Sequence, residues 1–187
     1  TALGATVYAV GRIGGDAEGE ELKKHLFAAD TRSLLVESNY KTPVKNRLIA
    51  DSQQLIRVDF ETITPLQPHF EEIMIAQLQL LIPQVDVLAI SDYGKGFLTH
   101  RLIQTAIQMA KQSNIPSIVD PKGSDFAKYK GATVLKPNLS EAYTAAKCLP
   151  SASLDEVAAQ LLSLADFLLI TRSEAGISIF DSVGSRS

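Results

Sequence analysis

The chain has 187 residues, a formal net charge of −3 at pH 7 and 45% hydrophobic residues, a composition that is ordinary for a globular protein and argues against disorder. The weak negative charge provides no basic field for nucleic acid, and the single cysteine, Cys148, excludes an intramolecular disulfide framework and a cysteine-based zinc site. No apolar run approaches the roughly 20 residues that span a bilayer, and no signal peptide is recognisable. We therefore expect a cytoplasmic protein without a nucleic-acid or membrane partner.

The N-terminal stretch predicts a strand, a glycine turn and a helix. An apolar strand is expected over Ala5–Val10 and is broken by Gly11. Further glycines and Asp16 follow, and apolar residues on one face then predict a helix over Glu18–Ala29. The glycine turn is a weak indication of function, because most such turns after strands are only turns.

The next stretch, residues 33–60, predicts a small antiparallel sheet inserted into the domain. Alternation places Lys45 and Arg47 on one face of their strand, and an Asp51-Ser52 turn would join two of the strands. A solvated sheet face remains an alternative interpretation of these basic residues and of Arg57. The predicted strands are Ser33–Ser38, Pro43–Ala50 and Gln54–Phe60.

From residue 65 onward, apolar strands alternate with amphipathic helices, which predicts a mostly parallel α/β sheet with helices on both faces. Ser153 and Glu156 have the spacing of a capping box for a helix that ends near Leu164. The other predicted helices are Pro65–Leu81, Thr99–Ser113 and Ser140–Lys147. The predicted strands are Val85–Ser91, Pro116–Asp120, Thr133–Leu135, Phe167–Thr171 and Gly176–Phe180.

Polar side chains follow four of these strands. In open α/β sheets, ligands bind at the carboxyl ends of the strands, so these side chains are expected to form one site for a small anion. They are Asp92 and Lys95 after the first strand, Asp120 and Lys122 after the second, Lys136, Asn138 and Glu141 after the third, and Thr171, Arg172, Glu174 and Gly176 after the fourth.

Each of these residues also has a structural interpretation. Asp92 and Asp120 are also compatible with turn caps, and the lysines and Arg172 with solvated charges. Asn138 and Glu141 have capping-box spacing, although a capped helix N-terminus can still hold a phosphate or a hydrated cation. The motifs of serine hydrolases, zinc proteases and Walker-type nucleotidases are absent, and the glycine turn lacks the G-x-G-x-x-G of dinucleotide-binding enzymes.

Four stretches carry a resemblance to a known family. They are QQLIRVDFE (Gln53–Glu61), SDYGKGFL (Ser91–Leu98), DPKGSDFAKYKGATVLKPNLSEA (Asp120–Ala142) and LLITRSEAGISIF (Leu168–Phe180). The chain resembles the ribokinase, or carbohydrate kinase, superfamily. Within it the chain is most similar to the D-glycero-β-D-manno-heptose 7-phosphate kinases, which often form the N-terminal half of bifunctional heptose kinase–adenylyltransferases. The resemblance implies a ribokinase-like fold over residues 1–187, with residues 33–60 as its β lid.

The resemblance also implies a reaction, in which ATP phosphorylates the anomeric hydroxyl of heptose 7-phosphate during ADP-heptose and lipopolysaccharide synthesis. It implies that Asn138 and Glu141 organise Mg²⁺ through water, and that the lid clasps a second subunit in a homodimer. Lys136, Thr171, Arg172, Glu174 and Gly176 complete the implied ATP and Mg²⁺ set. The candidates for binding the sugar phosphate are Lys45, Arg47, Arg57, Asp92, Lys95, Asp120 and Lys122.

Two segments of the family pattern are not found in these 187 residues: the early G-G-x-x-x-N sugar-binding segment and the later G-A-G-D segment, whose aspartate is the general base. We therefore expect a fragment whose catalytic aspartate lies beyond Ser187 and which has no useful activity alone. A kinase for another sugar phosphate and a non-catalytic dimerising or binding module remain as alternatives.

Overall fold

The computed structural model describes residues 4–28, 34–37, 39–51, 53–181 and 184–186. The chain divides into two compact units, one formed by residues 1–70 with 95–97 and the other by residues 71–94 with 98–187. Within the described ranges, no helix has both the length and the apolar character that crossing a membrane requires.

The first unit begins with strand β1 (Gly11–Gly14), helix α1 (Ala17–Ala28) and strand β2 (Leu34–Glu37). β1 and β2 pair in parallel. The strand predicted over Ala5–Val10 is wrong, because residues 5–10 have no regular structure and most of them are exposed. Apolar character alone did not locate the strand. The strand instead forms at Gly11–Gly14, where β2 supplies hydrogen-bond partners and where three of its four residues are buried.

An antiparallel hairpin follows, formed by β3 (Val44–Ala50) and β4 (Gln53–Phe60). The prediction of an antiparallel insert is confirmed for these two strands. It is wrong for the segment around β2, which pairs with β1 instead, while Ser33 and Ser38 lie outside the described residues. Asp51 adopts a φ of 47° in the connecting turn, and Ser52 is also outside the described residues.

The glycine turn between β1 and α1 is held together by Asp16. Its carboxylate accepts hydrogen bonds from the N–H of Gly19 (3.0 Å), the N–H of Thr42 (2.9 Å) and the hydroxyl of Thr42 (2.6 Å). A Cβ at Gly14 would collide with the carbonyl oxygen of Tyr40, so only glycine allows this close approach. The turn therefore fastens the start of α1 to the segment that leads into β3.

The second unit contains, among its described residues, a six-stranded sheet in the order β10-β9-β8-β7-β6-β5. Strands β5 to β8 are parallel, and β9 and β10 are antiparallel additions at one edge. The predicted fold class, a mostly parallel sheet flanked by helices with a small antiparallel sheet, is confirmed. The strands are β5 (Leu88–Ser91), β6 (Ser117–Asp120), β7 (Ala132–Leu135), β8 (Ala165–Thr171), β9 (Ile177–Asp181) and β10 (Gly184–Arg186).

The remaining helices are α2 (Pro68–Leu81), α3 (His100–Gln112), α4 (Leu139–Ala146) and α5 (Leu154–Leu161). Three of them begin at side chains that cap the first turn. These caps are Thr99, Asn138 and Ser153, and the last two form complete capping boxes with Glu141 and Glu156. The capping box predicted at Ser153 is confirmed, because such contacts depend on residues only three positions apart.

The core of the second unit lies on one face of its sheet. Val119, Leu135 and Leu168 are fully buried there, and helices α3, α4 and α5 pack against β6 and β8. On the opposite face, Ile118 and Phe167 remain 38% and 42% exposed. The sequence predicted helices on both faces of the sheet. That prediction is wrong at Ile118 and Phe167, which the described helices leave exposed.

Candidate active site

The polar residues that follow the parallel strands meet at one edge of the sheet in the second unit. Backbone hydrogen bonds join consecutive strand ends: Asp92 N donates to Asp120 O (3.0 Å), and Lys136 N to Val119 O (2.8 Å). At the fourth strand, Thr171 N donates to Pro137 O (3.0 Å). Since parallel strands end at the same edge, residues far apart in sequence become neighbours.

Asp92 is the most deeply buried carboxylate of this cluster, with a side chain that is 3% exposed. Gly94 N donates to its Oδ1 (2.7 Å), while Lys128 Nζ and the Tyr129 hydroxyl both donate to its Oδ2 (2.7 Å each). Burial raises the pKa of Asp92, but these donors outweigh burial and hold the pKa below its ordinary value. The carboxylate is therefore ionised and firmly held.

Lys128 and Tyr129 were not identified as site residues from the sequence. They lie in a short 3₁₀ turn, Ala127–Tyr129, that follows β6 and its loop. Tyr129 is fully buried, and its hydroxyl also accepts a hydrogen bond from Lys122 N (2.9 Å). Neither residue has a motif spacing to Asp92, which precedes them by 36 and 37 positions, so only the fold reveals the contact.

Asn138 and Glu141 form the capping box of α4. The amide oxygen of Asn138 accepts from Glu141 N (2.9 Å), and Glu141 Oε2 accepts from Asn138 N (3.1 Å). The other carboxylate oxygen of Glu141 lies 2.8 Å from Lys122 Nζ. The capping interpretation of this pair is therefore confirmed, and the capping carboxylate also pairs with a lysine ammonium group.

The remaining residues of the predicted nucleotide set lie around the ends of β7 and β8. Lys136 Nζ is 3.2 Å from Asp120 Oδ1, and Asn138 forms an isolated β-bridge with Thr171. Arg172 N donates to Gly176 O (2.8 Å) across a tight turn that contains Glu174. The Nε of Arg172 is buried and has no hydrogen-bond partner among the described residues.

In the first unit, the basic residues of the hairpin share one face. Lys45 lies opposite Asp59, and Arg47 opposite Arg57. Asp59 pairs with Arg57 Nε (3.0 Å) and with Lys45 Nζ (3.6 Å), which offsets the repulsion between the facing guanidinium groups. The alternation predicted from the sequence is thus present.

Lys95 and its neighbours are organised by contacts within the first unit. The ammonium group of Lys95 pairs with Glu61, and Arg12 donates to the carbonyl oxygens of Thr64 (2.8 Å) and Lys95 (3.4 Å). The guanidinium of Arg12 also stacks over the ring of Tyr40, 3.9 Å from its centroid. Of the seven residues predicted to bind a sugar phosphate, Lys45, Arg47, Arg57 and Lys95 belong to the first unit, and Asp92, Asp120 and Lys122 to the second.

The strand-end cluster has donor chemistry suited to a hard divalent cation. Mg²⁺ prefers oxygen ligands. The cluster offers the carboxylates of Glu141 and Asp120 and the amide oxygen of Asn138. No group of three or more His, Cys, Asp or Glu side chains in the described part of the chain is arranged to hold a metal ion by itself. These residues fit a cation that is shared with the oxygens of a ligand and of water.

Comparison with known families matches residues 1–186 to the pfkB family of carbohydrate kinases. The chain belongs to this family. Similar proteins include the bifunctional protein HldE of Wolinella succinogenes, 40% identical over 191 residues, and that of Campylobacter jejuni, 42% identical over 185 residues. These alignments cover 99% and 96% of the chain but only 40% and 38% of the relatives, so the chain spans about two fifths of their length.

Solved structures with a ribokinase-like fold are also similar. Ribokinase from Giardia lamblia aligns with a TM-score of 0.74 at 18% identity, over 95% of this chain and 57% of that one. Phosphofructokinase-2 from Escherichia coli in complex with potassium aligns with a TM-score of 0.73 at 17% identity, over 99% of this chain and 62% of that one. At these identities the similarity concerns the fold.

Proposed function

We propose that the protein to which this chain belongs is an ATP-dependent kinase that phosphorylates the anomeric hydroxyl of D-glycero-β-D-manno-heptose 7-phosphate. Its product would be the 1,7-bisphosphate, a precursor of ADP-heptose in cytoplasmic lipopolysaccharide core synthesis. The observation that carries this proposal is the convergence of Lys122, Lys136, Asn138 and Glu141 at the carboxyl ends of β6 and β7. Cations and hard oxygen donors together suit a magnesium-bound polyphosphate.

On the nucleotide side, Asn138 and Glu141 would hold Mg²⁺ through water, and Lys136 would contact a phosphate. The cation would neutralise charge on the transferring phosphoryl group when it is bound. Thr171, Arg172, Glu174 and Gly176 would line the nucleotide near its phosphates. Support comes from the bridge between Asn138 and Thr171 and from the buried Nε of Arg172, a donor that has no partner in the described part of the chain and could serve a ligand or an ordered water.

On the sugar side, the proposed phosphate ligands are Lys45, Arg47 and Arg57. Each is positively charged, and a guanidinium group can donate two parallel hydrogen bonds to phosphate oxygens. Lys95 and Asp120 complete the proposed set. The contact of Lys122 with Glu141 supports a role on the nucleotide side for this lysine, which the sequence analysis assigned to the sugar phosphate. The contacts of Asp92 with Gly94, Lys128 and Tyr129 support a positioning role for that carboxylate, since most of its acceptor capacity is already used.

The choice of a heptose phosphate rests on the sequence resemblance described above and on the HldE relatives that match nearly the whole chain. The test is a coupled ADP-release assay of the full-length gene product on a panel of sugar phosphates. We expect the highest kcat/KM with heptose 7-phosphate. A preference for a hexose phosphate would refute this substrate and leave the kinase fold in place.

The 187-residue chain alone is proposed to lack useful kinase activity. The G-A-G-D segment that supplies the base in the resembled family is not in its sequence. General base catalysis typically contributes about 10²–10⁴-fold, and the oxyanion donors of that segment would be missing as well. Near-normal turnover by the isolated chain in the same assay would contradict this.

A homodimer formed through the hairpin is the proposed quaternary arrangement. The face of the hairpin opposite its basic residues carries Leu48, Ile56, Val58 and Phe60, all of them exposed. A contiguous apolar strand face of this kind is typical of a surface that is covered in the assembled protein.

A further inference from the structure

The Glu141 carboxylate is engaged on both of its oxygens. Oε1 lies 2.8 Å from Lys122 Nζ, and Oε2 accepts from Asn138 N at 3.1 Å. The Glu141 side chain is 17% exposed, whereas that of Lys122 is 53% exposed. The ammonium group is therefore the more exposed partner of this pair.

Lys122 is anchored at its backbone, and its side chain is exposed beyond that anchor. Its N–H is held by the buried hydroxyl of Tyr129 (2.9 Å), which fixes the start of the side chain. The four-carbon stem beyond it is flexible, and the ammonium is a compact charge that can exchange one anion for another.

The Lys122 ammonium and a divalent cation would thus bind the same carboxylate. A divalent cation brought to Glu141 would be repelled by the ammonium of Lys122 and would compete with it for Oε1. A magnesium nucleotide differs from the bare cation, because its phosphate oxygens offer Lys122 a new anionic partner as the old one is taken.

We propose that Lys122 is a positioning residue that occupies Glu141 in the ligand-free protein, opposes binding of a bare divalent cation there, and transfers to phosphate oxygens when a magnesium nucleotide binds. This inference rests on the proposed function, since it assumes that Glu141 faces a cation and a nucleotide. It explains why a cation-binding carboxylate carries a built-in ion pair, and it makes the site select the metal–nucleotide complex over the metal alone.

The test compares two ligands on one variant, Lys122→Met, in the full-length gene product. Mn²⁺ alone is titrated by electron paramagnetic resonance, and Mg·ATP by isothermal calorimetry. Mn²⁺ is expected to bind roughly two- to fivefold more tightly than to wild type, the range of an exposed ion pair. Mg·ATP is expected to bind roughly tenfold more weakly, as for a lost charged hydrogen bond.

Three further variants separate this effect from others. Lys122→Arg keeps the charge and should retain weak Mn²⁺ binding. Lys111→Met removes an exposed charge in the last turn of α3 and should change neither affinity. Glu141→Gln retains an acceptor for the capping box but loses the carboxylate charge. Added to the Lys122→Met protein, it should abolish the tighter Mn²⁺ binding of that variant. Circular dichroism checks that each variant is folded.

Shifts of opposite sign for Mn²⁺ and Mg·ATP support the inference. It is overturned if Lys122→Met leaves Mn²⁺ affinity unchanged, or if both ligands shift in the same direction. If the wild-type protein phosphorylates its sugar while Glu141→Gln leaves Mn²⁺ binding unchanged, the inference is overturned and the proposed function stands. Opposite shifts in a protein that phosphorylates no sugar phosphate would instead overturn the proposed function.

Discussion

The hydroxyl of Tyr129 donates a hydrogen bond to Asp92 Oδ2 over 2.7 Å and accepts one from the backbone N–H of Lys122 over 2.9 Å. Lys128 Nζ contacts the same carboxylate oxygen and lies 4.9 Å from the centroid of the Tyr129 ring. One buried phenol thus joins the end of β5 to the loop after β6. The loop that carries Lys122 is positioned by the buried side chains of Tyr129 and Asp92.

Replacing Tyr129 with phenylalanine removes this junction and keeps the ring. The Lys122 N–H and the Asp92 carboxylate each lose a partner, and an unsatisfied buried group costs about 1–3 kcal/mol. We expect Tyr129→Phe to lower the free energy of unfolding by that amount in urea denaturation. Tyr93→Phe is the matched control, because Tyr93 is 70% exposed, and it should have no effect. Equal denaturation midpoints for the two variants would refute the junction.

The ionisation of Tyr129 should be suppressed in the folded protein. Burial raises the pKa of the phenol above its ordinary value of 10.0, and the Asp92 charge adds to this, although the Lys122 N–H acts in the opposite direction. A raised pKa means that the stability tied to the neutral phenol is present below about pH 10 and is lost as the pH rises further. The phenolate absorbance of wild type minus that of Tyr129→Phe should stay flat through about pH 10. A step near pH 10 would contradict this.

Asp16 should remain ionised down to about pH 2. The hydroxyl and N–H of Thr42, followed by the N–H of Gly19, lower the pKa of Asp16 from 3.8 to about 2. Because the pKa is lowered by folding, the stability from this carboxylate is present above pH 3.8 and is lost as the pH falls through about 2. Carbon-detected NMR of the Asp16 carboxyl against pH measures this value directly.

Thr42→Val tests the cause of that shift. It removes the hydroxyl donor and keeps the backbone donor, so the Asp16 pKa should rise toward its ordinary value. Thr42→Ser restores the hydroxyl and should return the pKa close to that of wild type. If Val and Ser give the same pKa, the hydroxyl of Thr42 is not its cause.

The proposed dimer should depend on the apolar face of the hairpin. Leu48 lies directly opposite Ile56, and these side chains are 62% and 52% exposed. Ile56→Lys places a charge in the middle of this face and should convert the full-length gene product from dimer to monomer in sedimentation velocity. Burying an unpaired charge in an apolar contact is strongly unfavourable.

A substitution on the other face of the hairpin provides the control. Lys45→Gln removes a charge that pairs with Asp59 and leaves the apolar face unchanged, so the dimer should persist. A wild-type monomer, or an Ile56→Lys protein that still sediments as a dimer, would exclude this interface.

The capped helices could be placed from the sequence because their signals are local. Ser153 with Glu156, and Asn138 with Glu141, are three residues apart, and the chain can satisfy such contacts without the rest of the fold. Strand β1 could not be placed in this way. Its partner β2 is more than twenty positions further along, so the apolar run at Ala5–Val10 was a misleading indication.

The alternating strands and helices, the polar residues at the strand ends and the basic face of the hairpin could be predicted from the sequence, because they follow from periodicity and from short-range spacing. Which charges pair could be known from the fold alone. It brought Lys122 to Glu141 and joined Asp92 to Lys128 and Tyr129, since ion pairs and buried hydrogen bonds depend on loops that meet at one sheet edge. Those partners lie 19 to 37 positions apart, a distance over which no local pattern constrains the chain.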